Sequence, residues 1–161
     1  MPAEDTKPLP DGGILSNNLA SDEKIHVSFD FASSELRITG PLVAPPWLEE
    51  VVEKLNHVLK LRKGWDSYGA PPISPQLVHP VLMVLIKVME QETPAPAIVP
   101  TASGGIQIEW HMSDIDLEVE ILPTGQASWY GEDLRSNDSW EQEQGIDIQQ
   151  LASIVRQLTR E

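Results

Sequence analysis

Cysteine is absent from this chain of 161 residues. That excludes disulfides, thiolate metal centres, iron–sulfur clusters and cysteine nucleophiles. Basic residues are scarce: 11 Lys and Arg stand against 25 Asp and Glu, for a formal net charge of −14. A protein that grips DNA or RNA through phosphates draws its affinity from a basic footprint. This chain has none, and an anionic membrane surface would repel it for the same reason. Long apolar runs are also missing. The most apolar stretch, residues 81–89, is interrupted by Lys87 and is too short to span a bilayer. The amino terminus, MPAEDTKPLPDGG, has no basic segment followed by an apolar one, so no signal peptide is expected and a cytoplasmic location is. There is no GxGxxG, no GxxxxGK[ST] and no GxSxG, hence no phosphate cradle and no nucleophile elbow.

What is present fits a globular domain. Hydrophobic residues make up 40% and charged residues 22%, which separates the chain from disordered polymers. Residues 1–23 are rich in Pro, Gly, Asp, Asn and Ser without periodicity, and read as a tail; residues 24–161 read as one domain. Ile25, Val27, Phe29 and Phe31 alternate, as do Leu36 and Ile38 after a polar break, so a hairpin is expected over 25–39. Leu48, Val51, Val52, Leu55, Val58, Leu59 and Leu61 follow helical spacing over 47–62, with Gly64 as the stop. A second, mostly buried helix is expected from Pro75 to about Glu92, kinked or restarted by Pro80. A short edge strand is read at 97–100.

Two strongly alternating strands follow. Ile106, Ile108 and Trp110 interleave with Gln107, Glu109 and His111, and Ile115, Leu117, Val119 and Ile121 interleave with Asp116, Glu118 and Glu120. A turn at Met112-Ser113 pairs Trp110 with Ile115 and Glu109 with Asp116. Pro123-Thr124-Gly125 reads as a three-residue turn into a strand through Trp129. Residues 131–144 read as irregular, with a short strand near Trp140. Asp147 is expected to cap a last helix, with Gln150 completing a capping box. The expected class is α+β: an antiparallel sheet of two hairpin or meander units, with three helices packed on one face.

The acidity is localised. Residues 88–155 hold thirteen acids against one base, Arg135, and so carry −12 of the −14. Period-2 alternation places Glu109, Asp116, Glu118 and Glu120 on one sheet face, although like charges directly opposed cost roughly 0.2–1 kcal/mol a pair. Such a face is either simply solvated or visited by something positive. Carboxylates in one plane suit Mg²⁺ or Ca²⁺, yet the loop pattern of an EF-hand is absent. His26, His57 and His79 fall on separate elements without ligand spacing, so no zinc site, and no metal or cofactor, is expected. His111 beside Glu109, with Asp114 opposite, has the composition of an acid–base pair, but also that of an ordinary surface histidine. Trp65, Asp66 and Tyr68 in GWDSYGA read as a structural loop: Asp66 binds backbone N–H groups while Trp65 and Tyr68 pack on the sheet.

GWDSYGAPPISP after an amphipathic helix, followed by PTASGGIQIEWH and an acidic hairpin, resembles a family of small bacterial proteins with no established activity. The resemblance covers roughly residues 46–130 and is carried by Gly64, Trp65, Asp66, Tyr68, Gly104, Gly105, Glu109 and Trp110. It implies a shared domain and no function.

The expected function is that of a non-enzymatic acidic interaction protein, of antitoxin, inhibitor or adaptor type, that binds a basic protein partner. The expected contact residues are Glu109, Asp116, Glu118, Glu120, Tyr130, Glu132, Asp133 and Trp140, with Trp140 as an aromatic anchor. There are two other readings: a metal-dependent hydrolase built on Asp66, Glu109 and His111, and a DNA mimic that uses the same acidity to compete for a basic protein.

Overall fold

The computed structural model describes residues 14–19, 23–30, 35–39 and 44–159. The chain divides into two compact units, residues 1–42 and 43–161. In the first, β1 (Ile14–Leu19), β2 (Glu23–Asp30) and β3 (Glu35–Thr39) form an antiparallel sheet in the order β1-β2-β3. The β2–β3 register sets Val27 against Ile38 and Phe29 against Leu36. Residues 14–19, within the segment read as a tail, pair with β2 instead. Residues 1–13 and 20–22 of that segment, and the break at 31–34, lie outside the described residues.

The second unit is α+β. Its five strands form an antiparallel sheet in the order β4-β5-β6-β7-β8. They are β4 (Ala97–Pro100), β5 (Ile106–Met112), β6 (Ile115–Ile121), β7 (Ala127–Asp133) and β8 (Asp138–Gln142). Alternation is the force behind them. Ile106, Ile108, Trp110, Ile115, Leu117, Val119, Ile121 and Trp129 are all buried, while the residues between them are half-buried or exposed. The polar ends of the buried tryptophans are satisfied: Trp110 Nε1 donates to the Pro94 carbonyl at 3.0 Å and Trp129 Nε1 to Gln142 Oε1 at 3.1 Å.

Helix α1 (Pro46–Leu59) buries Trp47, Leu48, Val51, Leu55, Val58 and Leu59. It ends three residues earlier than its apolar pattern suggests, and Gly64 has a different task. Gly64 sits at φ +79° and its N–H bonds the Ala70 carbonyl at 2.8 Å, closing the next loop. The expected helix from Pro75 is split. A single 3₁₀ turn (Pro75–Leu77), capped by Ser74, leads into α2 (Val78–Val88). Pro80 is thereby the third residue of α2, where its missing N–H would have no intrahelical acceptor anyway. Helix α2 stops at Val88, short of Glu92, because Glu90 is held from both sides. Its N–H donates to Thr93 Oγ1 at 2.8 Å, and its carbonyl accepts from Trp47 Nε1 at 3.0 Å. Helix α3 (Ile148–Val155) is capped by Asp147, whose Oδ1 accepts from the N–H groups of Gln149 and Gln150. The reciprocal bond is not the capping-box one: the Asp147 N–H donates to Gln142 Oε1 at 2.8 Å. Gln142 thus ties β7, β8 and the start of α3 together through one side-chain oxygen.

Candidate functional site

The β5–β6 register corrects the expected one by two residues. Met112 pairs with Ile115, His111 with Asp116, Trp110 with Leu117 and Glu109 with Glu118. The two-residue turn is Ser113-Asp114, both at φ +55°, the handedness that matches strand twist in a tight hairpin. A shift of two leaves every residue on its expected face. It nevertheless changes the chemistry. His111 faces Asp116, not Asp114, and Glu109 opposes Glu118, not Asp116.

Read across the sheet, the outer face is a grid. One row runs Glu109, Glu118, Tyr130, Glu141 over β5, β6, β7 and β8; a second runs His111, Asp116, Glu132, Ser139; a third runs Gln107, Glu120, Ser128. Three kinds of contact relieve the repulsion. Gln107 Nε2 donates to Glu118 Oε2 at 2.7 Å, and the Tyr130 hydroxyl donates to Glu132 Oε2 at 3.3 Å. The His111 ring lies between two carboxylates, with Nδ1 3.0 Å from Asp116 Oδ1 and Nε2 3.2 Å from Glu109 Oε2.

These contacts shift protonation. Hydrogen bonds to Asp116 and then Glu109 raise His111 above its ordinary value of 6.5. A raised folded value means that the stabilisation is complete below about 6.5 and is lost as pH climbs through the folded value. With half of the side chain exposed, solvent screens most of the energy. We therefore expect a titration shift more than a stability change. NMR of the His111 ring should show a midpoint above 6.5 that falls toward it in Asp116→Asn and again in Glu109→Gln; an unshifted midpoint in the parent protein would remove the bridge. Tyr130 is also raised above 10.0, first by partial withdrawal from water and then by Glu132, with Glu141 and Glu118 adding to it.

Between the rows opens a shallow pocket of about 280 Å³, lined by Gln107, Glu118, Glu120, Ser128, Tyr130, Glu141 and Glu143, with Trp129 and Gln142 at its inner wall. Tyr130 is 42% exposed on this face. The face therefore combines carboxylates with an open aromatic ring, the two features that attract a cationic side chain.

The structure gathers Glu109, Asp116, Glu118, Glu120, Tyr130 and Glu132 on that face and sets two expected contact residues elsewhere. Trp140 pairs with Gly131 in the row of Leu117, on the apolar side, and a Cβ on Gly131 would lie 3.3 Å from the Trp140 ring. Gly131 is the space into which that ring fits. Asp133 pairs with Ile115, and its Oδ1 accepts from the N–H groups of Arg135 and Ser136, so it shapes the β7–β8 turn. Those N–H bonds hold its carboxyl below the ordinary 3.8. Next to Trp140 in the chain but on the opposite face, Glu141 joins the acidic row, and alternation outward from an inward Trp140 would have found it.

The GWDSYGA loop closes on itself. Asp66 Oδ1 accepts from the N–H groups of Tyr68 and Ala70, each at 2.9 Å, and those bonds, Ala70 first, hold its carboxyl below 3.8. Trp65 Nε1 donates to the Pro71 carbonyl at 3.1 Å. Asp66 is thus the turn-former expected of it and its carboxylate is committed to its own loop, while Glu109 and His111 face one another on the sheet. Tyr68 departs from expectation: it is 94% exposed and packs on nothing. No helix among the described residues is long and apolar enough to cross a membrane. Comparison of the chain with protein-family models, with curated proteins and with solved structures finds no match.

Proposed function

We propose that this is a non-enzymatic interaction protein of the antitoxin, inhibitor or adaptor kind, whose acidic sheet face docks a basic protein. The observation that carries the reading is the row Glu109, Glu118, Tyr130, Glu141, which crosses four adjacent strands and whose Glu118, Tyr130 and Glu141 line the shallow pocket. A guanidinium or ammonium placed over Tyr130 meets a ring face and carboxylates on both sides. The opposite side of the sheet is apolar and buried, and in this reading the three helices cover it and keep the acidic face rigid and free for a partner. Electrostatic attraction of this kind speeds association and selects against acidic surfaces, while the aromatic supplies contact area.

The experiment is a pull-down from the native host with the full chain, at low and raised salt, beside the triple variant Glu118→Gln, Glu132→Gln, Glu141→Gln. A basic partner should be retained at low salt, released as ionic strength rises, and absent from the variant. A partner held equally by the triple variant, or one that resists salt, would place the interface elsewhere.

A further inference from the structure

Charge is segregated along residues 43–161. Residues 43–87 hold five bases against four acids, whereas residues 88–155 carry −12. Lys54 is bound by Glu50, Arg135 by Asp114 and Arg156 by the Ala152 carbonyl. Lys60, Arg62 and Lys63 are exposed and have no side-chain partner among the described residues. They lead into the GWDSYGA loop, where Tyr68 is 94% exposed. We propose that this basic loop, with Lys60, Arg62, Lys63 and Tyr68, docks on the acidic sheet face of a second copy of the chain. The inference rests on the reading of that face as a docking surface, and names what docks there.

Three features argue for it. First, the loop is built to hold its ring out. The Arg62 carbonyl accepts from the Trp65 N–H at 3.1 Å, the Gly64 N–H donates to the Ala70 carbonyl at 2.8 Å, and Asp66 Oδ1 accepts from the N–H groups of Tyr68 and Ala70. A loop tied down in this way has little freedom left to lose on binding, and tyrosine with arginine is the composition of an interface anchor. Second, a ring exposed to this degree is not folded back on the acidic face of its own chain, so the complementary patches meet only between molecules. Third, the patches match in kind. Three cations stand against Glu118, Glu132 and Glu141, and the pocket of about 280 Å³ opens beside Tyr130. Arg62 alone of the three bases has the planar fork that stacks on an aromatic ring while pairing with a carboxylate, so it is the side chain that enters over Tyr130. The opposing force is repulsion between two chains of charge −14. Salt of about 0.1–0.15 M screens it beyond roughly 8–10 Å, so the charges at the contact decide. Each copy carries both patches, and two copies close as a two-fold pair that makes the contact twice.

The test is sedimentation velocity of the full chain over a concentration series at about 0.15 M salt. Dimers should form as concentration rises and dissociate toward about 1 M salt. Tyr68→Ala leaves the charge unchanged and should weaken the pair by about tenfold or more. Arg62→Glu with Lys63→Glu should abolish it. Glu118→Lys with Glu141→Lys should abolish it too, although that variant lowers the general repulsion. An equimolar mixture of the two charge-reversed variants should pair again, since both contacts then join opposite charges. A chain that stays monomeric, a pair that survives either reversal or is untouched by Tyr68→Ala, or a mixture that fails to pair would each overturn the proposal. If the chain stays monomeric while the host pull-down returns a different basic protein that the triple variant loses, this inference falls and the docking reading stands.

Discussion

Trp110→Ala should be the most damaging single substitution in residues 43–161, lowering stability by about 3–5 kcal/mol. Trp110 is 1% exposed on β5, and pairs with Leu117 on the central strand β6. Truncation leaves a void that a hydrogen-bonded sheet cannot collapse to fill. It also deprives the Pro94 carbonyl of its donor. Domains of this size are held by only about 5–15 kcal/mol, so the loss takes a large share of the whole. Urea denaturation followed by far-UV circular dichroism should show the midpoint falling steeply at nearly constant slope. Trp110→Phe should recover most of the loss, because it refills the void and forgoes only the indole bond. A midpoint for Trp110→Ala within about 0.5 kcal/mol of the parent would show that this side chain is not where the sheet is anchored.

How much of this architecture the sequence discloses depends on whether the information is periodic or local. Period-2 alternation through Ile106–Ile121 gives the strands and both faces, since a side chain's face depends on parity alone. The pairing partner depends on the turn. Ser113 and Asp114 carry no glycine to advertise a left-handed pair, so the hairpin reads naturally as turning one residue earlier. The same asymmetry decides the candidate site. Glu109, Asp116, Glu118 and Glu120 follow from parity and stay together. For Trp140 and Asp133 the sequence offers only the acidity of their neighbourhood, and both fall on the other side once β7 continues through Gly131 to a fifth strand. A glycine inside an alternating run is the legible clue there, for it marks a close approach, and the ring of Trp140 is what approaches. Gln142 had no signal at all. Its role arises from three segments meeting at one amide, which no window of sequence contains.

The paired glycines before β5 should give the second large effect, and they explain why they occur with the GWDSYGA loop. Gly104 lies at φ +90°, and a Cβ there would stand 2.9 Å from Pro71 Cγ. Gly105 has ordinary φ but no room: its Cβ would stand 2.6 Å from the Ile121 carbonyl oxygen and 3.0 Å from Thr101 Oγ1. Backbone cannot yield as a flexible side chain does, so Gly105→Ala should lower stability by about 1–3 kcal/mol through overpacking. Gly104→Ala adds a left-handed backbone cost of roughly 1–2 kcal/mol to a contact with a stiff proline ring. Gly125→Ala is the control that separates these causes, since Gly125 shares a positive φ of +83° but has nothing within 4 Å. It should lose only the conformational part, and Gly104→Ala should lose measurably more; equal losses would mean that Pro71 does not press on the turn. The chain of contacts is then continuous. Asp66 folds its loop, Trp65 holds the carbonyl of Pro71, and the ring of Pro71 rests where only a glycine leaves space. The two most recognisable sequence blocks of this protein are therefore two halves of one joint between the α1–α2 loop and the sheet. Their co-occurrence is a packing requirement, and it leaves the outer face free to be judged on its own chemistry.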